Sequence, residues 1–233
     1  MTLKVDIFGT GPDLVMTHGW SLHCGLFDGI ADALAEGFTL HFIDLPGHGH
    51  NASVPLPSTV EALAEMLLDA APERAHWLGW SIGGMAAMAA ASLSPGRVTK
   101  LVTVAATPRF VAGEDWPHAI PAPTLEQMAR DLHADYRKTV KNFLSLQVLG
   151  DDHAQSLLRD LRAQRYAHGE PEAESLEHGL DILHDRALRE AVRQVSQPWL
   201  SIMGSRDRLA SPKIGEWLEE HVASCRNVTI PRA

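Results

Sequence analysis

The chain has 233 residues, 45% of them apolar and 21% charged, a balance that fits one sizeable globular core and excludes a disordered or fibrous chain. Its net charge of −9 argues against general nucleic-acid or anionic-membrane binding, and no apolar run approaches the length of a membrane span. The N-terminus shows no signal-peptide pattern, and Cys24 and Cys225 are too far apart for a metal-type pair or a disulfide framework, so a reducing cytoplasm is expected.

Strand-like and helix-like segments alternate from the start. Leu3 to Gly9 reads as a strand and Asp13 to Thr17 as a second, short one. Residues 25–36 read as a helix with Leu26, Ile30, Ala33 and Leu34 on one face. Gly9-Thr10-Gly11 lacks the rest of a dinucleotide fingerprint. Phe38 to Asp44 is another strand, closed by Leu45-Pro46-Gly47-His48-Gly49. His41, His48 and His50 lie close to Asp44 in sequence; such residues can ligate a metal, but a turn-rich loop is the simpler reading. No cofactor is expected. Ser58 opens a helix with Glu61 three residues on, a capping-box signature, and Val60, Leu63, Ala64, Leu67 and Leu68 follow the helical period.

Next comes the stretch richest in information, His76-Trp77-Leu78-Gly79-Trp80-Ser81-Ile82-Gly83-Gly84-Met85. An apolar run enters a Gly-x-Ser-x-Gly turn and a small-residue helix leaves it, which is the context a nucleophile elbow needs. Gly79 and Gly83 let strand and helix approach closely, and Ser81 would stand at the helix N-terminus, where N–H groups favour developing negative charge. The competing reading is a Gly-rich turn with an ordinary serine.

Arg97 to Thr107 holds a buried-strand run. From 110 to 186 the strand pattern stops: a helical stretch begins at Thr124, carrying Leu125, Met128, Leu132, Val140, Phe143 and Leu144, and residues 152–167 and 172–184 are helical too. Strand rhythm resumes at Pro198 to Gly204, followed by a helix at 212–222 and a strand at 225–230. The expected division is therefore residues 1–109 and 187–233 as two parts of one α/β core, with a mostly parallel sheet and helices on both faces, and 110–186 as an all-helical cap.

A serine nucleophile needs a base, and the base needs an orienting acid. Asp207, just past the strand that ends at Gly204, stands where that acid belongs; the alternative is a turn aspartate making local hydrogen bonds. Asp181 and Asp185 compete from helical or loop positions. An oxyanion hole needs two N–H donors, expected from Ile82 and from Trp20 in the loop Thr17-His18-Gly19-Trp20, with His18 bracing that loop. In the insertion Arg137 and Lys141 share a helical face, as do Arg159, Arg162 and Arg165. They form either a solvated face offset by Asp131, Asp135 and Asp160, or a docking site for an acidic partner.

These residues resemble the α/β-hydrolase superfamily. A closer resemblance, to the carboxylesterases that hydrolyse pimeloyl-[acyl carrier protein] methyl ester in biotin synthesis, rests on several stretches together. They include Thr17-His18-Gly19-Trp20, Trp77-Leu78-Gly79-Trp80-Ser81, Asp115-Trp116-Pro117 and Phe143-Leu144-Ser145-Leu146-Gln147. The resemblance implies an α/β-hydrolase fold, Ser81 as nucleophile, Asp207 as triad acid, Trp20 and Ile82 as oxyanion donors, and Phe143 lining an acyl channel. It also implies an acyl carrier protein meeting Arg137, Lys141, Arg159 and Arg162, with the enzyme a monomer. The family's triad histidine would follow Ala233, so the sequence reads as one that stops before the histidine turn and last helix and is catalytically impaired. His221, the one histidine after Asp207, is expected on the surface beside Glu219 and Glu220. Another ester or C–C hydrolase, or a non-catalytic binding protein, remain the alternatives.

Overall fold

A computed structural model describes residues 2–148, 154–164, 167–185 and 188–233. Among them the strands are β1 (Asp6–Gly9), β2 (Asp13–Thr17), β3 (Thr39–Phe42), β4 (Ala75–Trp80), β5 (Val98–Val104), β6 (Trp199–Gly204) and β7 (Cys225–Ile230). They form one sheet in the order β1-β3-β2-β4-β5-β6-β7; β1 is antiparallel to β3 and every other pairing is parallel. The core helices are α1 (Asp28–Ala35), α2 (Val60–Ala70) and α3 (Ile82–Leu93). Between β5 and β6 lie α4 (Ala122–Ala134), α5 (Tyr136–Gln147), α6 (Ala154–Gln164), α7 (Ala173–Asp185) and the short α8 (Arg189–Val192), and α9 (Pro212–His221) joins β6 to β7.

The strand period of two divides the core. Val15 faces Trp77, Met85, Met88 and Leu101 on one side of the sheet, while Leu14 and Met16 face Phe27, Ala31, Leu40 and Phe42 on the other. The register pairs Thr17 with Gly79, Trp80 with Val104 and Val104 with Ile202, so the C-terminal ends of β2, β4, β5 and β6 lie side by side. Chain order reverses at β2, and the crevice beyond the strand ends at such a switch point is where open α/β sheets take ligands.

Several boundaries differ from the sequence expectation for local reasons. The first strand begins at Asp6, not Leu3, because Lys4 pairs instead with Asn51: its N–H donates to Oδ1 at 2.7 Å and its carbonyl accepts from Nδ2 at 3.1 Å. The first helix opens as a 3-10 turn at Cys24–Phe27. Thr59, not Ser58, caps α2, its Oγ1 accepting from Ala62 N at 3.2 Å; Glu61 therefore falls one residue short of the capping-box position. The helical stretch after Thr124 is two helices, broken at Asp135, whose carboxylate accepts from Lys138 N at 3.0 Å and caps α5.

The neck of the insertion is clamped by Asp115-Trp116. Asp115 pairs with Arg109 and Arg189, and Trp116, 2% exposed, donates its indole N–H to Arg109 O at 2.8 Å. Leu188 N donates to Pro108 O at 2.7 Å and closes the neck.

Candidate active site

Ser81 links β4 to α3 with φ 55° and ψ −120°, a region that L-residues avoid and that persists only where surrounding structure enforces it. The enforcement is visible. Ser81 N donates to Val104 O and Met85 N to Ser81 O, both at 2.9 Å. A Cβ on Gly79 would collide with the Gly83 backbone, and one on Gly83 would lie 2.7 Å from Thr17 O. The Ile82 N–H belongs to the first turn of α3, where no intrahelical acceptor exists and the helix dipole favours an anion.

The loop after β2 packs against this turn. A Cβ on Gly19 would come within 3.3 Å of Ser81 Cβ. Trp20 is 1% exposed; its indole N–H donates to Leu176 O at 2.9 Å, and its ring meets Phe143 edge to face at 5.0 Å. His18 is fully buried: Nε2 accepts from Leu45 N at 2.9 Å and Nδ1–H donates to Gly19 O at 2.7 Å. Burial pushes its pKa down to about 3, so the ring is neutral and braces the loop.

Ser81 opens into a cavity of 510 Å³ walled by Phe110, Ile120, Leu125, Met128 and Phe143, with Gln127, Asp131 and Asn142 on its lining. Its size and apolar walls suit an unbranched acyl chain. A second cleft of 220 Å³ adjoins it, sharing Leu146 and Leu209, and holds Trp80, Asp207 and Ala233. Asp207 follows β6; its Oδ1 accepts from Leu209 N at 2.8 Å and Ala210 N at 2.9 Å. Burial pushes the Asp207 carboxyl up, and those two N–H bonds work against the shift. Ser81 and Phe143 line this cavity, Trp20 packs behind Phe143, Ile82 follows Ser81 in the chain, and Asp207 lines the neighbouring cleft. Asp181 is exposed on α7, and the Asp185 side chain lies outside the described residues. His221 lines neither cleft: its ring stacks on Trp217 at 4.5 Å and its Nδ1–H donates to Trp217 O.

The insertion's cations are less available than their spacing suggests. Arg137 donates to Glu170 through Nε at 2.9 Å and an Nη at 3.1 Å, and this pairing raises its pKa. Arg159 pairs with Asp160 at 3.1 Å, and Arg162 reaches Ser145 at 3.5 Å. The Lys141 side chain is exposed and has no hydrogen-bond or ion-pair partner among the described residues. Arg165 lies outside the described residues.

The histidines near Asp44 also disperse. His41 bonds Asp13, His48 bonds Ser21 N and His50 bonds Asp6. Asp44, His50 and His168 bring potential ligand atoms close together, but His50 and His168 stack face to face at 4.1 Å and 8°. Their lone pairs then run parallel instead of converging on a cation. The apolar wall residues Leu125 and Met128 carried a helical period in the sequence, yet nothing marked them as cavity-lining.

The α/β hydrolase fold family model matches residues 12–231. A pimeloyl-[acyl-carrier protein] methyl ester esterase from Stenotrophomonas maltophilia (strain K279a) is 45% identical over 214 residues, 90% of this chain and 80% of that protein. One from Xanthomonas campestris pv. campestris (strain B100) is 46% identical over 211 residues, 89% of this chain and 81% of that protein. Among solved structures, a hydrolase from Oleispira antarctica superposes with a TM-score of 0.86 at 19% identity, covering 98% of this chain and 86% of that one. An esterase from Exiguobacterium antarcticum gives 0.84 at 20% identity, covering 99% and 87%. No helix among the described residues is long and apolar enough to cross a membrane. By its elbow, its sheet order and these matches, the chain belongs to the α/β-hydrolase fold family, in the branch that holds the pimeloyl-[acyl-carrier protein] methyl ester esterases.

Proposed function

We propose that this protein is a serine carboxylesterase that hydrolyses the methyl ester of pimeloyl-[acyl carrier protein]. The observation that carries the reading is the apolar 510 Å³ cavity opening on Ser81, in a chain 45% identical to an esterase of that name. The acyl chain lies against Phe143 and brings its terminal ester to Ser81. Ser81 Oγ attacks the ester carbonyl as a base takes its proton, and the N–H groups of Trp20 and Ile82 receive the oxyanion. Collapse expels methanol, protonated by the same base, and leaves an acyl-enzyme. Water, deprotonated by the base, cleaves that intermediate to the free carboxylate and restores the Ser81 hydroxyl. Asp207 orients the base. The family pattern puts that histidine directly after Ala233, and Ala233 shares a cleft with Asp207.

The acyl carrier protein, an acidic partner, approaches over α5 and α6, where Lys141 offers an unengaged charge and Arg137, Arg159 and Arg162 exchange their present partners for it. This reading makes the enzyme a cytoplasmic monomer. The test is mass spectrometry of the carrier-bound methyl ester incubated with the protein, alone and extended by the family's histidine turn and helix. Release of methanol and a free carboxylate is expected, lost in Ser81→Ala together with fluorophosphonate labelling. Labelling at another residue, with turnover unaffected by Ser81→Ala, refutes the assignment.

A further inference from the structure

The loop from His18 to Cys24 has no ladder to satisfy its backbone, so its N–H groups must find partners elsewhere. Buried imidazoles pin the segment: one accepts the Ser21 N–H, and two others tie its ends to the neighbouring backbone. Besides His18, His48 accepts from Ser21 N through Nε2 at 3.2 Å and donates from Nδ1 to Pro46 O at 2.9 Å. His23 accepts from Gly25 N through Nδ1 at 3.1 Å and donates from Nε2 to Gln164 O, at the end of α6, at 2.7 Å. His48 is 1% exposed and His23 3%. Between the two contacts sits Ser21, at φ 65°, 1% exposed, its hydroxyl without a partner among the described residues. That strained residue immediately follows Trp20, and its described hold is the N–H bond to His48.

We infer that His48 and His23 are positioning residues for the Trp20 loop, which keeps its shape only while both imidazoles are neutral. The role assigned to the loop rests on Trp20 as an oxyanion donor. Each ring spends one nitrogen as an acceptor of a backbone N–H and the other as a donor to a carbonyl. A proton added to either ring would set N–H against N–H and open the loop. Burial acts in the same sense, against most of the nearby charges and hydrogen bonds. Burial is the main cause that lowers both pKa values. The hydrogen bond to the Pro46 carbonyl, Asp44 and Glu172 pull His48 the other way, while His23 adds to the lowering. Against His23 stand Asp44 and Asp28 as attractive charges and His168 as a repulsive one, stacked at 4.1 Å. His168 is itself fixed between His23 and His50 while donating to Asp44 at 3.0 Å, and His50 is paired with Asp6. A histidine whose folded pKa is depressed binds fewer protons in the folded state. The stability it contributes is complete above about pH 6.5 and is lost as pH falls below that.

Long-range nitrogen-15 spectra of the histidine-labelled protein between pH 7.5 and 5 test this directly. His48 should remain the Nδ1–H tautomer and His23 the Nε2–H tautomer well below about pH 6.5, where an ordinary imidazole protonates. Phosphonylation of Ser81 by a small fluorophosphonate gives the second readout. His48→Ala should slow it about tenfold, part of what loss of an oxyanion donor costs. His48→Gln, whose amide keeps an acceptor and a donor, should rescue most of that loss. The inference falls if both rings protonate near about pH 6.5 with the Ser21 and Leu22 amides unmoved, or if His48→Gln is as slow as His48→Ala. If His48→Ala shifts those amides and leaves phosphonylation unchanged, the loop inference stands and the Trp20 assignment fails. Should a variant not fold, the wild-type ring titration decides.

Discussion

The turn at Ser81 is held by main-chain hydrogen bonds and glycine-tight contacts, whereas the outer face of α5 and α6 is held by exposed ion pairs such as Arg137–Glu170 and Arg159–Asp160. The first kind of hold is dry, short-range and intolerant of a single added carbon. The second is screened by salt and re-formed at little cost when a partner arrives. The two regions therefore divide the work: buried backbone geometry fixes the bond-breaking chemistry, and adjustable charge selects what is brought to it.

Five variants probe that division, in falling order of effect. Asp207→Asn should lower kcat by about 10⁴-fold in the histidine-extended enzyme with the circular dichroism spectrum unchanged, the loss seen when an orienting acid no longer fixes its histidine. A loss below tenfold would reduce Asp207 to a turn residue. Gly83→Ala, whose Cβ would press on Thr17 O, should destabilise by about 1–3 kcal/mol in a urea titration, whereas Lys141→Ala should change stability by less than about 0.5 kcal/mol. Equal effects would erase the contrast between the regions. Arg137→Glu with Lys141→Glu should raise KM for the carrier-bound ester roughly fivefold to tenfold, more at low salt, with a short free ester barely affected. Glu170→Gln, which frees Arg137, should move the same KM slightly downward.

The elbow was legible because everything that builds it is contiguous: an apolar strand, two glycines flanking a serine, and a run of small residues. The positions of Asp207 and the Trp20 loop were legible for the same reason, each following a recognisable strand. What escaped was assembled from distant residues. Nothing near Arg137 marks Glu170, 33 residues on, as its partner. His168 reaches Asp44 across 124 residues, while His41, His48 and His50, adjacent in sequence, turn to three different neighbours. Periodicity could not separate Leu125, Met128 and Phe143, which wall the cavity, from Leu132, Val140 and Leu144, which share their helices and spacing but not the cavity. Both sets avoid water, and the pattern records only that.

The bond from Leu188 N to Pro108 O has a consequence for how such enzymes diversify. β5 and β6 are parallel neighbours, so the chain must cross over between them in any case. Elongating an existing crossover adds little loop-closure entropy, because that cost grows only logarithmically with length. Beyond its neck the segment from 109 to 187 also bonds the core, through Leu176 to Trp20, Gln164 to His23 and His168 to Asp44. A lineage, or an engineer, can lengthen or reshape it to present Ser81 with a different clientele, provided those few anchoring bonds are kept.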